Sequence, residues 1–203
     1  MSQVAISGNA SGTGTLTIAA PNTNSNYTLT LPTETGTVLT NKTAGVVLQV
    51  VQGIKTDTFV SSATVTDTAV TGLTASITPT SSSSKILVMI ELALSAENAQ
   101  GGAAKVTRGG TIISAALPTS YSSRSPTSFS GSGYRGSVGN FTAIAWGVSM
   151  NYLDSPATTS STTYGVVVSS LSTGTYINRA GADADSSDSS RMVSSITLME
   201  IAA

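Results

Sequence analysis

The densest run of ionisable side chains is Asp183-Ala184-Asp185-Ser186-Ser187-Asp188. Acids at alternate positions can wrap a hard cation such as calcium. A helix–loop–helix calcium loop needs Gly at its sixth position and a bidentate Glu at its twelfth, and counting from Asp183 those places hold Asp188 and Ser194. A solvated acidic loop is therefore the favoured reading of Asp183, Asp185 and Asp188, with calcium the weaker one. Glycoside cleavage would need two carboxylates flanking a sugar cleft, one with a raised pKa. The other acids are Glu34, Asp57, Asp67, Glu91, Glu97, Asp154 and Glu200, and no pair among them stands out. Asp154 sits in a Leu-Asp-Ser-Pro string, where its side chain is expected to bond its own backbone. The chain has no His and no Cys, which removes Ser-His-Asp triads, thiolate nucleophiles, thiolate zinc sites and disulfides. The expectation is a non-enzyme without cofactor or resident metal.

The other chemistry-bearing string is the Ser/Gly-rich stretch 117–139, LPTSYSSRSPTSFSGSGYRGSVG. Tyr121, Arg124, Phe129, Tyr134 and Arg135 are its large side chains. Tyr and Arg on Ser/Gly backbone give rigid contact area, hydrogen bonding and stacking, the chemistry of adaptable recognition. Aromatic faces suit sugar CH edges, and Arg suits carboxylates or sulfates. The competing reading makes Phe129 and Tyr134 hydrophobic pins that fix a long loop to the body.

Composition bounds what must position these residues. Ser and Thr number 66 of 203, and Lys plus Arg number only 9 against 10 acids, a net charge of −1. So few cations offer little to neutralise phosphates, so nucleic acid is not an expected partner. No apolar run is long enough for a membrane span, and no charged-then-apolar leader is present. Thr and Val are β-branched and suit a pleated surface. A surface this poor in charge suits a protein that works inside an assembly.

Residues 1–43 read as a segment of their own, with short alternating runs at 15–18, 27–31 and 37–39 separated by Pro- and Asn-rich turns. Each run offers two or three large apolar side chains, too few for a private core. Three copies packing Leu16, Ile18, Leu29, Leu31 and Val38 about a common axis would solve this; an N-terminal meander on the following domain is the alternative. From residue 44 to 203 the strands lengthen. The strongest is Lys85 to Leu94, with Ile86, Val88, Ile90, Leu92 and Leu94 on one face and Leu87, Met89, Glu91 and Ala93 on the other. Apolar residues on both faces imply cover on both sides, which puts Glu91 near a subunit boundary, beside a cation or in solvent. Gly109-Gly110 signals a two-residue hairpin between 103–108 and 111–116. Further strands fall near 140–152, 164–171, 175–179 and 191–203. Roughly eight strands without helical periodicity predict an all-β chain, an antiparallel β-sandwich of jelly-roll type.

Some strings carry a resemblance as well. GTGTLTIAAPNTNSNYTLTLPTETGTVLT (12–40) resembles strand repeats of tailed-phage fibre proteins. VLQVVQ (47–52), GLTASITPTSSSSKILVMIELAL (72–94), NYLDSPATTSSTTY (151–164), YINRAG (176–181) and SSITLMEIAA (194–203) resemble a C-terminal domain of marine and cyanobacterial phage structural proteins. Residues 98–140 carry no such resemblance. The resemblance implies a virion fibre or other external appendage, homotrimeric, with a jelly-roll-like domain at its distal end. It implies that residues 1–43 dock on another virion protein and that 44–203 meet a host surface glycan or protein. A head fibre or capsid decoration protein is the structural alternative.

Overall fold

A computed structural model describes residues 11–15, 17, 22–26, 28, 44–62, 66–96, 102–120, 122, 123, 125–131, 145–170, 174–181, 183, 185, 187 and 189–203. The chain divides into two units, Met1–Val38 and Leu39–Ala203. In the first, the described residues are exposed, and the five proposed trimer-packing residues, Leu16, Ile18, Leu29, Leu31 and Val38, lie outside the described residues.

The second unit is all β. Its strands are β1 (Val47–Lys55), β2 (Phe59–Ser61), β3 (Thr68–Ile77), β4 (Lys85–Ala96), β5 (Gly102–Arg108), β6 (Thr111–Ile112), β7 (Phe129–Gly131), β8 (Trp146–Asp154), β9 (Thr162–Ser170), β10 (Thr175–Ile177) and β11 (Ser194–Ile201). Every pairing is antiparallel. The first sheet runs β1-β11-β4-β8, with short β10 continuing along the end of β4 and β2 beside it. The second runs β3-β9-β5, and β5 also pairs with β6 and β7. Without the short β2, β6 and β10, the eight remaining strands lie in the orders 1-8-3-6 and 2-7-4-5. That is the pattern of one long antiparallel hairpin wrapped into two layers, a jelly roll.

The period-2 reading of 85–94 is borne out. Ile86, Val88, Ile90, Leu92 and Leu94 are all buried in the space between the sheets. They meet Ile196 and Leu198 of β11 and, from the second sheet, Leu73, Ile77, Val106, Tyr164, Val166 and Val168. The Gly109-Gly110 turn takes φ values of +58° and +78°, which side chains with a Cβ resist. Beyond it the chain departs from a second long strand. β6 spans two residues, and Ser114–Ala116 form one 3-10 turn that buries Ile113 and Ala116 three positions apart. Residues 68–77 form a single strand. Its register against β9 shifts between Ala69 and Thr74, where Gly72 takes φ +81°.

Among the described residues three charged side chains, Lys55, Asp154 and Glu200, are buried. Asp154 does not bond its own backbone. It ends β8 nearly buried, accepting Tyr164 Oη–H of β9 at 2.7 Å and Arg108 Nη1–H of β5 at 2.7 Å. One carboxylate thus ties the first sheet to two strands of the second. Burial first, then the bond to Asp154, pushes the Tyr164 phenol far above its ordinary value, so it stays a donor. The Asp154 bond likewise holds Arg108 above its ordinary value. Asp154→Ala leaves a buried phenol without its acceptor and a half-exposed guanidinium without its carboxylate, and is expected to lower unfolding free energy by about 2–4 kcal/mol. Urea denaturation checks this, and a loss under about 1 kcal/mol would show that the tie carries little.

Candidate functional site

The strand ladders give the second unit two distinct ends. Val47 is the ladder partner of Ile201, and Ile201 of Lys85. Asp154 joins that end through Ile86, Ile77 through Thr162, and Arg108 through its bond to Asp154. Residues 45–47 and 201–202 therefore lie together at one end. Backbone bonds from Gly45 N–H to Ala202 O and from Ala202 N–H to Val46 O clamp the two together. Connections at this end are compact: 78–84, Gly109-Gly110 and 155–161.

At the opposite end β7 stops at Gly131, the ladder partner of Gly102, and β8 starts at Trp146, the partner of Leu94. Gly102 lies so close to Thr175 and Leu94 that a Cβ there would sit 2.9 Å from Thr175 Cγ2. Both ends of the 132–145 connection, which contains Tyr134 and Arg135, are thus anchored away from where the chain comes in. So are the ends of 97–101 and 178–193.

The proposed recognition residues separate. Phe129 is 9% exposed and belongs to the core, paired through β7 with Ala104. It acts as the hydrophobic pin, because β7 pairs beside β5 at the edge of the second sheet and turns the ring into the core. Tyr121, Arg124, Tyr134 and Arg135 lie outside the described residues. The stretch around the first two leaves and returns to one strand. Ile113 N–H donates to Val106 O, Ser128 N–H to Ala104 O, and Val106 N–H to Ser128 Oγ. Between these anchors Pro118, Thr119, Ser120, Ser122, Ser123 and Ser125 are exposed, and Ser122 takes φ +55°.

Trp146 is a residue the alternating pattern hides. It shares a face with Val148 and Met150, which pack on the core, yet it is 46% exposed because it stands at the far rim of the sandwich. An exposed indole beside the ends of Ser/Gly connections is the kind of anchor that binding surfaces use.

The acidic loop is clasped from within the chain. Asp183 accepts from Arg179 at 2.7 Å and from Arg191 at 2.6 Å, and Arg179 stacks 4.2 Å over the Tyr176 ring. The Arg191 bond, with Arg179, outweighs desolvation and holds the Asp183 carboxyl below its ordinary value. Both its oxygens face guanidinium groups that a cation would have to displace. Asp185 is exposed, and Asp188 lies outside the described residues. Among the described residues no three His, Cys, Asp or Glu side chains converge as a metal set.

Near the end where the chain comes in, a pocket of about 470 Å³ is lined by Leu48, Thr80, Ser81, Ser83, Ser84, Ala202 and Ala203. Hydroxyls dominate it, so it offers hydrogen bonds and no titratable catalyst. Behind it Glu200 is buried, accepting Thr80 N–H and Oγ1–H at 2.7 Å each and Gln49 Nε2–H at 2.6 Å. Burial pushes this carboxyl up, but the donors from Gln49 and Thr80 outweigh it and hold Glu200 below its ordinary value. A depressed folded-state pKa gives stability that is full above the unfolded value near 4.5 and is lost as pH falls through the folded one. Glu200→Gln is expected to cost about 1–2 kcal/mol at neutral pH, with the gap to wild type closing by pH 3. Thermal melts at both pH values check this; a gap equal at both would mean that Glu200 acts by packing alone.

Among the described residues no helix is long and apolar enough to cross a membrane. A scan against protein-family models finds no match, and no curated protein matches the sequence.

Proposed function

We propose that this chain is a subunit of a phage virion fibre on the tail or another external appendage. In this reading it is homotrimeric through residues 1–43, and its jelly roll adsorbs to a host surface glycan or protein without cleaving it. The observation that carries the reading is the polarity of the jelly roll. Residues 45–47 and 201–202 lie at one end, among compact connections. The 132–145 Ser/Gly and 178–193 Asp/Ser connections, with half-exposed Trp146, hang from the other. A body held at one end and reading with the other is what a distal domain needs. The fold agrees with this as analogy only, since jelly rolls serve in viral capsid and lectin domains and host many unrelated functions.

The mechanism is non-covalent and multivalent. Each site supplies an indole and, from the two Ser/Gly connections, Tyr121, Arg124, Tyr134 and Arg135. Rings stack on sugar faces, and the guanidinium groups take carboxylates or sulfates. Three such sites per trimer raise the effective concentration at the surface, so that modest single-site affinity becomes firm attachment.

Two measurements test the parts separately. Trp146→Ala and the pair Tyr121→Ala with Arg124→Ala are expected each to reduce adsorption to host cells at least tenfold, with far-UV circular dichroism unchanged. Wild-type adsorption by both variants would end the recognition reading. Leu29→Asp is expected to break the threefold species into smaller ones in multi-angle light scattering, because a charge enters an apolar stripe shared by three chains. A trimer that survives the substitution counts against packing through residues 1–43.

A further inference from the structure

The outward face of the β1-β11-β4-β8 sheet is unusual for a surface that meets water. An antiparallel sheet with one wet face carries polar residues there. Here ladder partners at one level place Val50 beside Met199, Met199 beside Leu87, and Leu87 beside Leu153. A continuous apolar row therefore crosses all four strands. Val50 and Leu153 are 55% and 54% exposed, and Leu87 and Met199 are half-buried. Among the described outward positions of these strands only two are charged, Lys85 and Glu91.

Those two charges identify what covers the face. Along β4 the outward order is Lys85, Leu87, Met89, Glu91, a cation and an anion bracketing two apolar side chains. A twofold rotation about the middle of this stretch sets Lys85 of one copy over Glu91 of the next and Leu87 over Met89. We propose that this sheet face binds the same face of a second copy of the chain, with β4 antiparallel over β4.

The geometry allows it. Each charge lies about 10 Å from the midpoint at ~3.4 Å per residue. Stacked sheets cross at about 30°, which moves the charged ends apart sideways by about 5 Å, within reach of a lysine stem. Lys85 Nζ now donates to the exposed Ser155 Oγ at 2.8 Å, a neutral partner that a carboxylate outcompetes. Four strands at ~4.8 Å spacing and seven residues at ~3.4 Å give roughly 450 Å² of face, against about 800 Å² per partner in a stable complex. The contact is accordingly weak between free copies and gains strength when several copies are already tethered. It is isologous, so each charge pair occurs twice. It does not rest on the reading of residues 1–43.

Sedimentation of the full chain across a hundredfold range of concentration tests the proposal. Wild type is expected to double in mass from its low-concentration species. Lys85→Glu and Glu91→Lys each make both symmetry-related pairs repulsive and raise the dissociation constant about tenfold. The double reversal restores it to within about threefold, and Leu87→Asp abolishes the doubling. All these side chains point outward, so unchanged circular dichroism separates lost association from lost fold. A wild-type mass independent of concentration overturns the proposal. So does a double reversal as weak as either single one, which is what a different occupant or unspecific apolar adhesion gives. The same series in the Leu29→Asp background reads monomer to dimer, so a failed trimer and a failed sheet contact give different results.

Discussion

The apolar inner face of β4 is the constraint on which the rest of the second unit depends. Five branched side chains at alternate positions must all leave water, at a gain of roughly 25 cal/mol per Å² of apolar surface buried. Burying them requires a second layer, supplied by Leu73, Ile77, Val106, Tyr164, Val166 and Val168. It also requires in-plane neighbours, and β4 accordingly pairs with β11, β8 and β10. The same strand cannot hide its other face by the same means. Period-2 geometry sends Leu87 and Met89 outward whenever Ile86 and Val88 go in.

Polar ties then fix what hydrophobic burial leaves free. Burial is non-directional, so two sheets of Val, Ile and Leu could slide in register at small cost. Asp154 fixes one end of the stack. Within the first sheet, at the other end, Asn178 fixes strand against strand: it is fully buried with φ +62°. Its Nδ2 donates to the carbonyls of Lys55 and Asp57, while its Oδ1 accepts from Ser194 Oγ, which itself accepts from Ala93 N–H. One amide thereby joins the ends of β1, β4, β10 and β11. With 9% charged residues in the chain, each of these groups settles a register that no surface ion pair would settle.

What the sequence made readable follows from the range of each signal. Alternation in 85–94 and the Gly109-Gly110 pair are local, and the sheet, its inward face and the turn follow from them. The strand count and the absence of helical periodicity led to a jelly-roll sandwich as the expected fold, and the strand orders agree. Asp154, Asn178 and Glu200 were not legible, because their partners lie between 10 and 151 positions away and a lone polar residue beside a turn has a local reading at hand. Phe129 carries two readings, contact surface and hydrophobic pin, because its Ser/Gly neighbours fit both; a single ring flanked by small residues is what a three-residue strand needs to hold a long loop. Alternation puts Trp146 on one face with Val148 and Met150, yet only the latter two pack on the core. Periodicity reports a face and says nothing of how near a residue stands to the rim.

The pairing of the first strand with the last has a mechanical consequence. A pull delivered through residue 46 while the far end of the jelly roll is held acts along the axis of β1. Its ladder with β11, from Val47↔Ile201 to Lys55↔Ser194, is then strained in shear. The cross-strand hydrogen bonds lie perpendicular to that axis and resist together, whereas pulling residues 46 and 202 apart at their shared end would open them one at a time. Tension between the incoming chain and a held far end therefore meets this unit in its stiffest direction.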